Sequence, residues 1–342
     1  MNKIRAAIIG CGAIFPMHAI SLKNCEDADL VAVCDINRER AEKKAEEFGC
    51  AAYTDYEEMI EKEALDSVHI CLPHYLHAPV AIYCMKKGLN VITEKPMATK
   101  REDAVLMMET AKECGVKFAC IFQNRFNHGN KLMKSVFDSG KLGKIYGAKC
   151  SVTWHRDEAY YKCGEWRAKL YEGGGGVIIN QAIHTIDAMR YLMNSEVVRV
   201  DSTVTKRSKI DIEVEDTAEG VIEFENGVLA NFHAINYYSK DSQISLEFDC
   251  QNGTATLLGD TATIRFNDGT TLVSEPAEDE FVDYGNVKNY WGVCHFKQIS
   301  DFYKHVKTGK PMYIGVESAF KTQDVVFAIY ESGREHKTVY FK

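Results

Sequence analysis

The chain has 342 residues, 46% of them hydrophobic and 26% charged, so it is long enough for two packed domains with full cores. Its formal net charge is -8 and its 41 basic residues are scattered, which argues against a nucleic-acid partner. It contains no apolar run of about 18 residues, which argues against a membrane span.

The 12 cysteines are spread along the chain without a CxxC pair, so their distribution does not indicate a disulfide framework. A chain of this length can be stable without disulfides. The first residues, MNKIRAAIIGCGAIF, resemble a strand rather than a secretory leader. We therefore expect reduced, mostly buried cysteines and a cytoplasmic protein.

The first predicted unit is a strand, a glycine turn, a helix and a second strand. The apolar residues 4–9 lead directly into Gly10-Cys11-Gly12, and the next strand, DLVAVCD, ends at Asp35. Glycine permits a tight turn and the close approach of a pyrophosphate, whose charge then lies at the helix N-terminus. The pattern predicts a dinucleotide-binding βαβ unit, although Phe15 stands where a third glycine is expected.

Asp35 strengthens this prediction. It follows Gly12 by 23 residues, where a carboxylate accepts hydrogen bonds from the ribose hydroxyls of NAD and repels the 2′-phosphate of NADP. Arg38 lies close enough to weaken the second argument. The sequence favours NAD over NADP, and an exposed aspartate on an ordinary α/β turn is the alternative. The predicted cofactor-binding residues in this unit are Gly10, Gly12, Ala13, Ile14, Asp35 and Arg38.

Helical and strand patterns alternate along the rest of the first third. The predicted elements are helices at 37–48, 76–87 and 99–114 and strands at 65–72, 90–93 and 116–121. This alternation predicts a parallel sheet with helices on both faces, and such sheets bind ligands outside the carboxyl ends of their strands. The further residues that we place at this edge are Pro73, His74, His77, Glu94, Lys95 and Gln123.

Glu94-Lys95-Pro96 carries the strongest chemical signal in this region. A lysine between a buried strand and a proline is held by a stiff backbone. A partly desolvated amine beside a cationic nicotinamide can exchange protons with a substrate hydroxyl. An ordinary lysine whose stem packs at a strand end is the alternative.

After residues 122–126, FQNRF, the pattern changes. A predicted helix at 128–139 is followed by segments that alternate apolar with polar residues, which predicts an antiparallel sheet with one solvated face. These segments are IYGAKCSVTWHR, VVRVDSTVTKR, DTAEGVIEFENGVLANFHAIN, ISLEFDC, GTATLLG and ATIRFND. We expect a dinucleotide-binding domain over residues 1–122 and a second domain over residues 123–342.

Residues 154–172 concentrate aromatic and polar side chains. Aromatic rings suit stacking on a pyranose, and the charged groups suit its hydroxyls or a carboxylate. A surface loop with packed aromatics is the alternative. The aromatic residues are Trp154, Tyr160, Tyr161 and Trp166, and the charged or polar residues are His155, Arg156, Asp157 and Arg167.

Residues 173–194, GGGGVIINQAIHTIDAMRYLMN, place four glycines before an apolar helical pattern. A phosphate-binding loop would follow a strand, whereas the preceding segment is loop-like, so we expect the glycines to bring the helix start close to the nicotinamide and substrate. Asn180, His184 and Asp187 fall at i, i+4 and i+7, a stripe that needs a cavity or polar partners. A satisfied core histidine is the alternative for His184, and a structural partner for Asp187.

Together these residues resemble the Gfo/Idh/MocA family of nicotinamide-dependent oxidoreductases, the glucose-fructose oxidoreductase and inositol dehydrogenase group. The matching stretches are GCGAIFPMHA, VCDINRERA, CLPHYLHAPVA, GLNVITEKPMA, FQNRF, GGGGVIINQAIHTIDAMRYL, WGVCHFKQISDFYKHVKTGKP and GVESAFKTQDVVFAIYES. The resemblance covers nearly the whole chain in order. It implies an α/β protein with an N-terminal Rossmann domain and a C-terminal α/β domain built on a large, mostly antiparallel open sheet, which could pair subunits into a homodimer or homotetramer.

The resemblance also implies residue roles: Lys95 relays the proton, Pro96 closes a cis peptide, His184 hydrogen-bonds the reacting hydroxyl, and Asp187 is the downstream acid. Asn180 departs from the family, because many members carry Asp there. An amide cannot act as a general base, which argues against an Asp-based relay, so we expect Asn180 to orient the substrate or Lys95. The predicted catalytic residues are Lys95, His184 and Asn180, and the predicted substrate-binding residues are Lys95, Arg125, Trp154, Tyr160, Trp166, Arg167, Asn180 and His184.

The expected reaction is a metal-independent hydride transfer between NAD(H) and a secondary hydroxyl or ketone of a sugar, polyol or sugar derivative. One alternative is a glycoside-processing enzyme with bound NAD that oxidises a sugar transiently. Another is a non-catalytic NAD(H)-binding regulator, against which the intact Lys95 and His184 argue.

Overall fold

The computed structural model describes residues 3–276, 282–285 and 294–341. The chain forms two compact units, residues 1–123 with 279–320 and residues 124–278 with 321–342. The segment 279–320, which is expected from the sequence to belong to the second domain, therefore clusters with the N-terminal residues. None of the helices in the described parts of the chain has the length and apolar character needed to cross a bilayer.

Helices lie between the strands of the first unit and also among the strands of the second unit. In chain order they are α1 (Phe15–Lys23), α2 (Arg38–Phe48), α3 (Tyr56–Lys62), α4 (His77–Lys86), α5 (Arg101–Cys114), α6 (His128–Asp138), α7 (Glu158–Lys162), α8 (Leu170–Gly173), α9 (Ile183–Met193), α10 (His295–Thr308) and α11 (Val316–Glu335). Side-chain caps fix several of their starts: Asn37 accepts from the Arg40 amide at the start of α2, and Asp55 caps α3.

The first unit is built on a parallel sheet, which contains six strands within the described residues. They are β1 (Ile4–Ile9), β2 (Ala28–Cys34), β3 (Ala51–Tyr53), β4 (Ser67–Ile70), β5 (Asn90–Thr93) and β6 (Phe118–Cys120), in the order β3-β2-β1-β4-β5-β6. The order reverses between β1 and β4, and the carboxyl ends of the strands at such a reversal are where open α/β sheets bind ligands. The predicted Rossmann topology is thus confirmed.

Helix α10 packs in the first unit through one apolar face. Ile299, Phe302 and Tyr303 recur at helical spacing and are buried in one cluster with Phe15 of α1 and Ile8 of β1. Burial of such a face removes the largest apolar side chains of the segment from water, which stabilises this packing.

In addition to this apolar packing, two hydrogen bonds hold the same helix. The side chain of Gln298 accepts from the Phe122 amide at 2.9 Å and donates to the Cys120 carbonyl at 2.8 Å. These bonds tie α10 to the end of β6.

The second unit is built on a mostly antiparallel sheet with nine strands in the described residues. They are β7 (Ile145–Thr153), β8 (Val197–Thr205), β9 (Thr217–Phe224), β10 (Leu229–Ile235), β11 (Ser245–Cys250), β12 (Gly253–Leu258), β13 (Thr261–Phe266), β14 (Thr271–Val273) and β15 (Val339–Tyr340). The sheet order is β14-β13-β12-β11-β7-β10-β9-β8-β15, with β7 and β10 as its parallel pair. This architecture agrees with the fold class expected from the sequence.

All twelve cysteines lie in the described residues, and none of the twelve takes part in a disulfide bond. Burial raises the pKa of several of their thiols, those of Cys34 and Cys84 to about 12, so these groups stay protonated at neutral pH. They act as small apolar core residues.

Candidate active site

The glycine turn after β1 has the geometry that the sequence predicts. Gly10 has φ +101°, and a Cβ there would lie 2.3 Å from the Cys71 carbonyl oxygen, so both the backbone conformation and the neighbouring chain require glycine. Ala13 and Ile14 follow in the turn that leads into α1. The backbone can therefore pass close to a ligand at this sheet edge.

Asp35 directly follows β2, and its carboxylate is oriented by the backbone. It accepts from the Cys11 amide at 2.9 Å and from the Asn37 amide at 2.8 Å. The Nη1 atom of Arg40 lies 3.3 Å from Oδ2 of Asp35, whereas Arg38 is exposed and pairs with Glu42. The arginine that pairs with Asp35 is therefore Arg40, and the cofactor contact expected for the exposed Arg38 stays a prediction.

The remaining predicted edge residues of the first unit also follow strand ends. Pro73 and His74 lie just after β4, Glu94 and Lys95 just after β5, and Gln123 after β6. Because the carboxyl ends of parallel strands meet at one edge, the structure brings these residues to the edge that carries the glycine turn.

The Lys95–Pro96 peptide bond is cis, as the resemblance implies. The preceding Glu94 is buried, and its Oε1 atom accepts from Nε2 of His18 at 2.9 Å and from Nε2 of His295 at 3.0 Å. Burial alone raises the pKa of a carboxyl, but these hydrogen bonds outweigh it and hold the pKa of Glu94 well below its usual range. These contacts give the Oε1 atom of Glu94 two partners within the first unit, and the predicted cofactor contact of this residue stays a prediction.

The glycine run before α9 is occupied by a carboxyl group of the chain itself. Glu215 accepts from the amide of Gly176 at 2.7 Å and from that of Ile178 at 3.0 Å, and it also accepts from the Tyr330 hydroxyl at 2.7 Å. Burial raises the pKa of the Glu215 carboxyl, which these donors oppose. Gly176 thus leaves room for Glu215, and the expected closeness of this helix start to the nicotinamide and substrate stays a prediction.

We expect Gly176→Ala to lower the melting temperature of the second unit, because the new Cβ would lie 1.9 Å from the Glu215 carbonyl oxygen. Gly147→Ala is the matched control, since its Cβ would meet only the Leu229 carbonyl oxygen, at 3.9 Å. Differential scanning calorimetry measures both variants. Equal melting of the two would contradict the proposed need for glycine at 176.

Asn180 lies in a π-helical turn, Ile178–Ala182, that precedes α9. Its Nδ2 atom donates to the Tyr160 hydroxyl at 3.2 Å, and Nε2 of Gln181 donates to the same hydroxyl at 2.8 Å. The extra residue of a π turn breaks the regular helical spacing, and such turns are frequent at functional sites. Asn180 and His184 are both half-buried, so solutes can reach them.

Asp187 does not share this environment with Asn180 and His184. It is 1% exposed and accepts from Nε of Arg125 at 2.7 Å and also from Nη2 of that residue, while the Thr322 hydroxyl donates to it at 2.6 Å. Arg125 is equally buried, with its guanidinium 4.7 Å from the Tyr191 ring centroid. Burial and this two-bond pairing favour a structural role for Asp187, and the substrate contact expected for Arg125 stays a prediction.

Three of the four predicted aromatic residues, Trp154, Tyr160 and Trp166, form one stack in the second unit, whereas Tyr161 is buried in an apolar cluster. Arg156 lies 4.8 Å from the Trp154 ring centroid and 5.3 Å from that of Tyr160, and Arg167 lies 5.2 Å from Tyr160 and 4.8 Å from Trp166. Aromatic faces attract guanidinium groups, which explains the alternation of rings and cations. The stack adjoins Asn180 through Tyr160, so the structure groups most of the predicted substrate-binding residues.

Sequence reasoning missed several residues of these sites. Arg40 could have been predicted as readily as Arg38, because both residues lie in the first turns of α2. Tyr237 and Tyr238 are 53% and 45% exposed just after β10, and residue 237 forms a β-bridge with His155. Two adjacent exposed tyrosines after a strand were the signal that could have revealed them.

Family models match both halves of the chain. The oxidoreductase family with an NAD-binding Rossmann fold matches residues 4–122, and the GFO/IDH/MocA C-terminal domain matches residues 130–256. These matches confirm the family resemblance that the motifs carry.

Individual proteins agree with the family models. The chain is 27% identical to myo-inositol 2-dehydrogenase of Thermotoga maritima, over 98% of both chains. It is 30% identical to glucose-6-phosphate 3-dehydrogenase of Bacillus subtilis, over 68% of this chain and 67% of that protein. The crystal structure of the WlbA dehydrogenase from Bordetella pertussis, in complex with NADH and UDP-GlcNAcA, superposes with a TM-score of 0.86 at 26% identity and covers 100% of this chain and 99% of its own. The chain therefore belongs to the Gfo/Idh/MocA oxidoreductase family, with an NAD-binding Rossmann domain at its N-terminus.

Proposed function

We propose that this oxidoreductase transfers a hydride between NAD(H) and a secondary hydroxyl or ketone of a sugar, polyol or sugar derivative. The observation that carries the proposal is the stack of aromatic rings and guanidinium groups beside Asn180. Rings of this kind pack on the apolar face of a pyranose, and arginine donors suit its hydroxyls or a carboxylate. The relatives that act on inositol and glucose derivatives support the same substrate class.

In this proposal Lys95 exchanges the proton of the reacting hydroxyl, and His184 hydrogen-bonds the same oxygen. Asn180 orients the substrate, because its amide is itself held by the Tyr160 hydroxyl. NAD supplies the hydride chemistry when bound, and the protein supplies position and proton transfer. The first unit binds the cofactor through its glycine turn and Asp35, and the second unit binds the substrate.

We further propose a cytoplasmic homodimer or homotetramer that pairs through the second unit's sheet. Exposed apolar side chains on one face of that sheet support pairing: Leu229 is 46% and Leu258 50% exposed. Static light scattering of the purified protein measures the subunit number, and a monomer at micromolar concentration would exclude this arrangement.

The function is tested by a screen of sugars, inositols and sugar acids with NAD and NADP, monitored at the absorbance of the reduced nicotinamide. We expect turnover with NAD and a kcat/KM at least about tenfold lower with NADP, because the Asp35 carboxylate repels the 2′-phosphate. Sugar conversion without absorbance change would instead support transient oxidation by bound NAD.

Two variants test the origin of this cofactor preference. Arg40→Ser removes the cation beside Asp35 and should increase the preference for NAD over NADP. Asp35→Ser should decrease it. Equal use of both cofactors by the wild-type protein would contradict the role of Asp35.

A further inference from the structure

Three histidines of the first unit hold the tripeptide Glu94-Lys95-Pro96. His18 is 0%, His77 1% and His295 1% exposed, and each contacts a residue next to Lys95. We call His18, His77 and His295 the histidine clasp. Hydride transfer does not require three buried imidazoles at this place, so their arrangement needs a separate explanation.

On one side of Lys95, the clasp holds the Glu94 carboxylate. A carboxylate only accepts hydrogen bonds, so the Nε2 atoms of His18 and His295 both carry protons. Nδ1 of His18 then accepts from Nδ1 of His69 at 2.8 Å, and Nε2 of His69 accepts from the Tyr303 hydroxyl at 2.6 Å. The Tyr303 hydroxyl also lies 3.3 Å from Oγ of Ser67, but with its single proton on the shorter contact to His69 the chain of hydrogen bonds has one direction and ends on Glu94.

The charges of this network agree with that direction. Burial lowers the pKa of His18 and of His69, so both rings are neutral at neutral pH, while Glu94 stays ionised. Its other oxygen, Oε2, accepts from the Lys95 backbone amide at 3.2 Å. The anion is therefore fixed from two helices and directly bonded to the backbone of Lys95.

His18, Glu94 and His295 are also the residue types that bind zinc. A structural zinc site needs four ligands, and within the described residues no fourth histidine, cysteine, aspartate or glutamate joins this group. A catalytic zinc site has three protein ligands and an open position for water or substrate, whereas these three side chains are all buried. The two nitrogens also stand at ordinary N–H···O distances from a single oxygen. The arrangement therefore fits a hydrogen-bonded carboxylate better than a metal site.

On the other side of Lys95, the clasp holds the Pro96 carbonyl. Nδ1 of His77 lies 2.7 Å from that oxygen, and Nε2 lies 2.8 Å from the Leu72 carbonyl oxygen. Both carbonyls only accept, so the ring donates to both when it is protonated and to one when it is neutral. Burial lowers the pKa of His77, so the ring is neutral at neutral pH and donates to one of the two carbonyls. With its proton on Nδ1 it bonds the Pro96 carbonyl and connects the loop after β5 to the start of α4.

We propose that the histidine clasp positions Lys95 for proton transfer by fixing the backbone on both sides of it. The inference rests on the proposed function of Lys95 and adds its supporting residues. A displacement of about 1 Å from productive geometry can cost about 10²-fold in rate, so a rigid support contributes directly to turnover.

The test compares His295→Leu with His295→Gln in the full chain. Glutamine keeps an N–H donor at a similar reach, whereas leucine has a similar volume and no donor. We expect His295→Leu to lower kcat by about 10- to 100-fold with substrate KM and NADH affinity changed by less than about threefold. His295→Gln should recover most of kcat, which a loss of packing alone would not allow.

A second readout does not depend on turnover. Hydrogen exchange measured by mass spectrometry should be faster in peptides covering residues 94–97 of His295→Leu, and unchanged there in His295→Gln. The pair His18→Leu and His18→Gln repeats the comparison from α1, in case α10 does not tolerate leucine.

The outcomes separate the two proposals. If the wild-type protein turns over a sugar but His295→Leu matches it in kcat and exchange, the clasp is overturned while the function stands. If no sugar is turned over, the proposed function fails, and the exchange at residues 94–97 alone decides whether the clasp fixes this backbone. Stoichiometric zinc in the purified protein, measured by elemental analysis, would also overturn the clasp.

Discussion

Lys95→Met is expected to lower kcat by about 10²- to 10⁴-fold, which is the usual contribution of a positioned acid or base. Methionine keeps a similar stem without the amine, so the loop after β5 should retain its hydrogen bonds. NADH affinity, measured by fluorescence titration, should therefore stay at the wild-type value. The split between lost turnover and retained cofactor binding is the signature of a proton-transfer residue.

Lys86→Met provides the matched control, because Lys86 is an exposed lysine of the same unit at the end of α4. It should behave as the wild-type protein in both measurements. Undiminished turnover in Lys95→Met would remove Lys95 from the mechanism, whatever substrate is used.

Asp187→Ala is expected to destabilise the second unit by about 3–5 kcal/mol, the range found when one partner of a buried ion pair is removed. Arg125 would remain buried without its carboxylate, and the Thr322 hydroxyl would lose its acceptor. Because a chain with two units need not unfold in one step, calorimetry with separate transitions is the appropriate measurement.

The double variant Arg125→Met with Asp187→Leu should recover most of this loss, since apolar side chains of similar volume replace a buried pair with little cost. A different result would change the assignment: if Asp187→Ala melts as the wild-type protein does but lacks turnover, then Asp187 acts in the chemistry rather than in the fold.

Local sequence patterns were sufficient for the cofactor edge. Gly10, Asp35 and Lys95 each follow a short apolar strand, and a parallel sheet brings the ends of such strands to one edge. The alternation of apolar residues likewise predicted most strands of the second sheet. Short elements such as β3 were missed, because three residues carry no period that can be recognised.

The partners of the buried polar groups could not be predicted in the same way. Glu94 and His295 are 201 residues apart in sequence, and their pairing depends on α10 packing with the first unit. The π-helical turn at 178–182 separates Asn180 from Asp187, although an ideal helix places them on one stripe. Such contacts depend on tertiary packing, which the local periodicity of a sequence does not reveal.

The carboxyl of Glu215 has a consequence for how this protein can distinguish its substrates. A helix start normally attracts phosphate through its unsatisfied amides, but the amides of Gly176 and Ile178 already donate to a carboxyl group that belongs to the chain. An acidic sugar therefore has no backbone anion hole to enter at this place, and its charge is left to a long side chain such as that of Arg167, since Arg156 is already paired with Asp241. Discrimination between neutral and acidic sugars would then depend on a few replaceable side chains, so it can evolve while the scaffold beneath it stays the same.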